Sequence, residues 1–129
     1  MSTLKVNNIQ TSSGGSNSTP EQIEQGRAKV WINFQGSGTV AIRDSFNISS
    51  LTDNGTGDYS LNYSNALGND DYCLSGTAGY NSEYIANHLN GGGQSTTYST
   101  TSCRFSVRHV YNNNLSDANH VEAMIMGDQ

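Results

Sequence analysis

Residues 27–63 read RAKVWINFQGSGTVAIRDSFNISSLTDNGTGDYSLNY, and this stretch decides the fold. Every second residue of its first run is apolar, namely Ala28, Val30, Ile32 and Phe34. A period of two is typical of a β-strand that buries one face. Residues 35–38 contain two glycines and predict a turn, after which Val40 and Ile42 are expected to continue the buried face.

The second half of the stretch predicts a hairpin. Asn54 and Gly55 form a strong turn signal, because both residue types tolerate positive φ. Beyond them Tyr59, Leu61 and Tyr63 alternate with polar residues, as in another half-buried strand. Further strands are expected at residues 71–78, 83–89, 98–111 and 119–126. Short strands separated by turn-forming residues favour an all-β fold, an antiparallel β-sandwich.

The chain divides into three parts. Residues 1–19 form an N-terminal strand or arm, with Leu4, Val6 and Ile9 as its apolar contacts, and end in a Ser/Gly linker. Residues 20–26 predict one short helical turn, because a capping Thr precedes Pro20 and a Gly closes the segment. Residues 27–129 are the predicted β-sandwich head domain. We expect the arm to lie against another protein and to attach the domain to it.

The composition is polar but weakly charged. Gly, Ser, Thr and Asn make up almost half of the 129 residues, and charged residues only 13%. Disorder is disfavoured, because the apolar residues fall into period-two runs and disordered chains usually carry more charge. A core this small favours burial of further apolar surface between subunits, so a homo-oligomer is expected.

Charge and hydropathy exclude two classes of partner. The net charge is −5 with only six basic residues, which argues against the basic surface that nucleic-acid binding needs. No apolar run approaches the length of a membrane span, so membrane insertion is not expected. The N-terminus does not have the pattern of a signal peptide, which predicts a protein made in the cytoplasm.

The residues that could carry chemistry are scattered. His88, His109 and His120 lie far from one another and from Cys73 and Cys103, so the close ligand pairs of zinc sites are missing. His109 is most simply a hydrogen-bonded histidine of the core or of an interface. Two free thiols are favoured over a disulfide between Cys73 and Cys103.

Acidic residues give no better case for catalysis. Candidates for acid/base work are Asp53, Asp58, Asp70, Asp71 and Glu83. All but Glu83 flank Asn or Gly in predicted turns, where Asp serves local hydrogen bonding. We therefore expect no enzyme activity, no catalytic residue, no metal and no cofactor.

Exposed aromatic residues are the remaining lead. Tyr80, Tyr84, Tyr98 and Tyr111 lie in the loop-rich part of the chain. Their rings are candidates for stacking on a ligand or receptor, or for filling a subunit interface, and β proteins commonly use Tyr for the second purpose.

Residues 28–63 also resemble a module that recurs in tail-fibre and related virion proteins of bacteriophages, especially marine and cyanobacterial ones. The words that carry the resemblance are AKVWINFQGSGTVAIRDSFNISS and LTDNGTGDYSLNY, with a weaker echo at residues 71–76. Residues 2–10 are similar to the start of many fibre-type proteins.

The resemblance implies a non-enzymatic phage virion structural protein, a tail-fibre-like component for assembly and host attachment. It implies a location on the virion, on the tail or particle surface, after assembly in the host cytoplasm. The expected partners are further copies of the chain, as a trimer, and other virion proteins, with a host-surface glycan as a further candidate. Two alternatives stay open: a capsid or neck decoration (cement) protein, and a free carbohydrate-binding module.

Overall fold

The computed structural model describes residues 1–79, 87–90 and 97–128. Within these residues it contains one short helix and nine strands, and every strand pairing is antiparallel. The elements are α1 (Pro20–Gln25), β1 (Val30–Gln35), β2 (Ala41–Phe46), β3 (Ile48–Gly55), β4 (Asp58–Tyr63), β5 (Cys73–Gly79), β6 (Asn87–Asn90), β7 (Thr97–Tyr98), β8 (Ser102–His109) and β9 (His120–Met126). In this described part, no helix is long and apolar enough to cross a membrane.

The strands form two layers of four. One layer has the order β2-β1-β9-β5 and the other β6-β8-β4-β3, while the short β7 pairs with β8. The layers join where β5 pairs with β6 through Thr77 and Ala78. The predicted all-β, sandwich-like fold is confirmed, with β1 and β9 at the centre of one layer and β8 and β4 at the centre of the other.

The predicted buried face of β1 is confirmed. Val30, Ile32 and Phe34 are at most 2% exposed. The Phe34 ring meets the Tyr59 ring edge-on at 4.9 Å between centroids and lies 6.5 Å from the Phe105 ring of the opposite layer. Such pairs add about 0.5–1.5 kcal/mol to what area burial gives. The other alternating runs supply much of the remaining buried core, including Leu61, Tyr63, Cys103, Val107, Val121, Ala123 and Ile125.

Tyr59 closes one end of this core with a polar contact. Its hydroxyl donates to the carbonyl of Gly36 at 2.8 Å and lies 3.0 Å from Oδ1 of Asp117. The same carboxylate oxygen accepts the backbone N–H of Gly57 at 2.7 Å. Three segments that are distant in sequence are therefore tied together around one buried ring.

The hairpin between β3 and β4 turns two residues later than predicted. Gly55 pairs with Asp58, so Thr56 and Gly57 form the turn, and Asn54 lies at a register shift before it. Gly57 has φ of 60°, and a Cβ there would come within 2.6 Å of the carbonyl of Val107. Tertiary contact, rather than the local Asn-Gly preference, therefore fixes the turn.

Two other strand predictions need correction. Ile42 does not join the buried face but stays 41% exposed, because β2 is an edge strand whose register with β1 shifts between Asn33 and Phe34. Val40 does pack against the core. The run predicted over 98–111 is divided into β7 and β8 by a turn in which Ser99 N–H donates to Ser102 O at 2.9 Å.

The N-terminal segment differs from the predicted strand. Residues 1–11 are fully described and form no strand; Ile9 makes one isolated bridge, with Ser18. Within the loop that Ile9 and Ser18 close, the backbone N–H of Thr11 donates to the carbonyl of Gly15 at 3.1 Å. The linker is thus folded back on itself as a closed loop.

The helical turn forms as predicted and buries an unexpected cation. Thr19 and Gln22 make a reciprocal capping box, with Pro20 in the first turn. Lys29 belongs to the polar set of the β1 alternation, yet its side chain is only 1% exposed. Its Nζ donates to the backbone carbonyl of Glu24 at 2.6 Å and also contacts the Glu24 carboxylate. The helix therefore covers this lysine and anchors itself to the sheet through it.

Candidate functional site

The predicted attachment residues lie outside the folded core. Leu4 is 85% exposed, Ile9 55% and Val6 39%. The hydrogen bonds described for residues 1–18 stay within that segment. The arm, which precedes α1 in the chain, is therefore separate from the sandwich in its described hydrogen bonding, and its apolar side chains are exposed.

The four candidate tyrosines are not brought together as one surface. Tyr80 and Tyr84 lie outside the described residues. Tyr98 is opposite Cys103 at the start of β8, while Tyr111 follows the other end of that strand. Tyr111 is 92% exposed, whereas Tyr98 packs its ring edge-on against Tyr72 at 5.2 Å. The two described candidates therefore act as separate positions.

Tyr98 borders a cluster of buried hydroxyls and one thiol. The Tyr63 hydroxyl donates to the Tyr72 hydroxyl at 3.1 Å, which in turn donates to the carbonyl of Ser102 at 3.1 Å. Burial raises the pKa of both Tyr63 and Tyr72, and it raises the pKa of the Cys103 thiol to about 11. The cluster stays protonated near neutral pH, so it packs and hydrogen-bonds but offers no thiolate nucleophile.

The two cysteines are free and sit in different surroundings. Cys103 is fully buried, whereas Cys73 is exposed at the start of β5. The expectation of free thiols agrees with this arrangement.

The described histidines and carboxylates do not gather into one cluster. His109 is half-buried, and its Nδ1 has no hydrogen-bond partner among the described residues, so the predicted hydrogen bond of this histidine is not seen there. Asp58 forms a two-pronged pair with Arg104 at 2.8 and 2.6 Å, and this hydrogen bonding lowers the pKa of Asp58. Among the described residues, no group of three or more His, Cys, Asp or Glu side chains could hold a metal ion. Glu83 and the side chain of His88 lie outside the description.

A groove that the sequence did not reveal crosses the outer face of β1, β9 and β5. Its volume is about 480 Å³. The lining residues are Trp31, Ile32, Asn33, Ser75, Gly76, Thr77, Glu122, Ala123 and Met124. The depression arises because β5 presents small residues beside the bulky Trp31 and Met124. We call this feature the Trp31 groove.

Strand register organises the groove into two rows. Trp31 lies opposite Met124, which lies opposite Ser75, and this makes the more apolar row. Asn33, Glu122 and Thr77 make the neighbouring polar row. Rows two residues apart on one face are separated by about 6.6 Å. The groove thus has an aromatic side and a hydrogen-bonding side within reach of one small molecule.

The polar row is held in place by hydrogen bonds. Asn33 Nδ2 donates to Oε1 of Glu122 at 3.0 Å, and Arg43 Nη1 donates to Oδ1 of Asn33 at 3.4 Å. Arg43 itself is fixed by the carbonyls of Phe34 at 3.0 Å and Asn119 at 2.7 Å. The Asn33 amide is therefore oriented before any ligand arrives, which lowers the entropic cost of binding.

In the sequence, the single sign of this groove was the position of Trp31 in the alternation of β1. Trp31 is on the polar side of the β1 alternation and is 37% exposed, which is unusual for so large an aromatic side chain. Apolar exposure continues around it at Phe46 and Met126, which are 44% and 36% exposed. The sequence could mark Trp31 as outward-facing but could not place β9 and β5 beside it.

The fold and these surfaces define a small antiparallel β-sandwich that carries a separate N-terminal arm and an outer-face groove. No family model, curated protein or solved structure matches the chain.

Proposed function

We propose that the chain is a non-enzymatic structural protein of a bacteriophage virion, a tail-fibre-like component that contributes to assembly and host attachment. In this proposal the arm fastens the chain to another virion protein, and the sandwich projects from the particle as part of a homo-oligomer, a trimer. The resemblance of residues 28–63 to the fibre module supports the setting.

The observation that carries the proposal is the separation of the arm from the domain. Leu4, Val6 and Ile9 expose apolar side chains on a segment whose described hydrogen bonds are internal. Exposed apolar side chains that find no core in their own chain gain free energy when a partner covers them. Residues 1–8 make no described backbone hydrogen bond, so their N–H and C=O groups are available to join the edge of a partner's sheet.

The sandwich is suited to the projecting role. Its core is closed by hydrogen bonds around Tyr59, and α1 is anchored to the sheet through Lys29. The arm, by contrast, makes no described hydrogen bond to the sandwich. Removing the arm should therefore leave a folded domain, which makes attachment and folding separable in an experiment.

The deciding experiment measures the chain in purified virions by quantitative mass spectrometry. The full chain should be present, whereas a chain without residues 1–19 should be absent from particles although circular dichroism and urea unfolding show an intact domain. A triple variant of Leu4, Val6 and Ile9 to Ser should behave like the deletion. A matched triple variant of the polar arm residues Thr3, Asn7 and Asn8 to Ser should still be incorporated.

Copy number in the same measurement separates the rival functions. A tail fibre should occur in a small set that matches the tail symmetry, whereas a decoration protein should cover the capsid in far larger numbers. Absence of the full chain from particles would contradict both and favour the free carbohydrate-binding module. Normal incorporation of the arm-deleted chain would contradict the proposed role of the arm.

A further inference from the structure

The Trp31 groove combines features that one class of small molecule matches. A pyranose sugar has a flat C–H face and a rim of hydroxyl groups. The groove offers the Trp31 ring in one row and the Asn33–Glu122 pair in the next, about 6.6 Å away. Its volume of about 480 Å³ lies within the range of about 300–1,000 Å³ typical of small-molecule sites.

We propose that the Trp31 groove binds a neutral saccharide. The sugar ring stacks its apolar face on Trp31 beside Met124, and its hydroxyls donate to the Glu122 carboxylate and accept from the Asn33 amide. The Thr77 hydroxyl borders the same row and reaches the far side of the ring. This inference rests on the host-attachment part of the proposed function and assigns it to a surface distinct from Tyr98 and Tyr111.

The charges of the groove select against acidic sugars. Glu122 is exposed and places a carboxylate on the floor of the polar row, and the chain as a whole has a net charge of −5. The neighbouring cation, Arg43, already donates to Asn33, Phe34 and Asn119. An anionic sugar would meet repulsion from Glu122 in the same row, and Arg43, whose N–H groups are already directed at Asn33, Phe34 and Asn119, would offset that repulsion only in part.

The main rival occupant is a second copy of the chain, because Phe46 lies opposite Trp31 and extends the apolar row, and the exposed Met126 lies in the row beside it. The polar row argues against it. A flat protein face over the groove would remove Glu122 and Asn33 from water, and burying such groups without new partners costs free energy. A sugar supplies those partners through its hydroxyls.

The chain provides its own probe, because Trp31 is its single tryptophan. The full chain is titrated with soluble dextran, laminarin and yeast mannan as neutral probes and with alginate as the acidic one, while tryptophan emission is recorded. At least one neutral probe should shift the emission saturably and protect Trp31 from quenching by acrylamide. Alginate should do neither. A panel in which no neutral probe changes the emission would overturn the proposal.

Variants locate the binding. Glu122→Gln keeps the shape of the side chain and should weaken binding about tenfold, the effect of one lost hydrogen bond to a charged group. Trp31→Phe should weaken saccharide binding further. Because this variant has no tryptophan, its binding is measured by affinity electrophoresis instead of fluorescence. Tyr98→Ala and Tyr111→Ala should bind as the parent chain does. Binding that is lost in the tyrosine variants but kept in Glu122→Gln would overturn the assignment.

Two outcomes keep this inference separate from the proposed function. Emission that shifts with protein concentration in the absence of sugar, together with a larger mass by light scattering, would identify a second copy as the occupant and overturn the saccharide. Incorporation into virions is measured with the arm variants and does not depend on Glu122. Saccharide binding in the Trp31 groove can therefore be disproved while the proposed role of the arm stands, and the role of the arm can be disproved while saccharide binding stands.

Discussion

The two faces of β1 consist of alternate residues of one six-residue strand, and they differ in their exposure to water. On the inner face Val30, Ile32 and Phe34 are sealed from water, and Phe34 meets the Tyr59 and Phe105 rings of the opposite layer. On the outer face Trp31 stays 37% exposed and Asn33 is held by hydrogen bonds rather than by packing. The inner face holds the fold together, whereas the outer face leaves Trp31 and the neighbouring polar side chains accessible from solvent.

The largest effect should come from emptying the inner face. Phe34→Ala removes a fully buried ring and should lower the free energy of unfolding by about 3–5 kcal/mol, because the surrounding rings cannot fill the cavity. The matched outer-face variant, Trp31→Thr, keeps a strand-forming residue and should cost about 1 kcal/mol or less. Urea unfolding of both variants measures the difference. Equal losses would mean that Trp31 belongs to the core and would break the comparison.

Lys29 belongs by alternation with the outward-facing residues of β1 but is buried. Its ammonium lies under α1 and depends on Glu24 for its charge partner and its carbonyl acceptor. Lys29→Met should stay within about 1 kcal/mol of the parent chain, because a buried ion pair replaced by an apolar side chain of similar length is often neutral. Glu24→Ala leaves the ammonium buried beside one carbonyl and should be the more destabilising change.

Both variants are compared by thermal and urea unfolding at pH 7. If Glu24→Ala is harmless and Lys29→Met is costly, the Lys29 ammonium is stabilised by groups other than the Glu24 carboxylate. The expectation that an apolar side chain can replace the buried ion pair would then be wrong.

The inner faces of the central strands could be predicted from the sequence, because alternation along a strand decides which residues share a face. Val30 and Tyr59 were both placed correctly for this reason. The position of the β3–β4 turn could not, because Gly57 is required by its approach to Val107, about fifty residues away. Local preference at Asn54 was overruled by that contact.

The Trp31 groove was beyond prediction for a related reason. It exists only because β9 and β5 lie beside β1, and that order of strands is a property of the whole chain. Alternation along β1 placed Trp31 on the face opposite Val30 and Ile32 but gave no reason to place Glu122 beside it. The burial of Lys29 was missed likewise, because it depends on where α1 packs.

A smaller effect is expected at the polar end of the inner core. Tyr59→Phe keeps the ring that packs on Phe34 but removes the hydroxyl between Gly36 and Asp117. The loss should be about 1–2 kcal/mol, since the buried carbonyl of Gly36 is left without this donor. Differential scanning calorimetry is the measurement, with Tyr111→Phe as the control at a fully exposed ring. A Tyr59→Phe variant as stable as the control would show that the ring alone closes the core.

The smallest effect should come from an ion pair on the outer face of the other layer. Arg104 holds Asp58 through two hydrogen bonds, and these lower the pKa of Asp58 below its ordinary value. Because the folded pKa is the lower one, the pair stabilises the fold fully above the unfolded pKa of about 3.9, and its contribution is lost as pH falls through the folded value. Asp58→Asn should therefore be slightly less stable than the parent chain at pH 7, and this difference should shrink as the pH falls. Urea unfolding at pH 3 and pH 7, each at low and high salt, tests this, and salt should shrink the difference at pH 7 because the guanidinium is partly exposed. A variant that differs from the parent chain equally at both pH values would assign the role of Asp58 to hydrogen bonding that does not depend on its charge, such as the contact with Asn54 Nδ2.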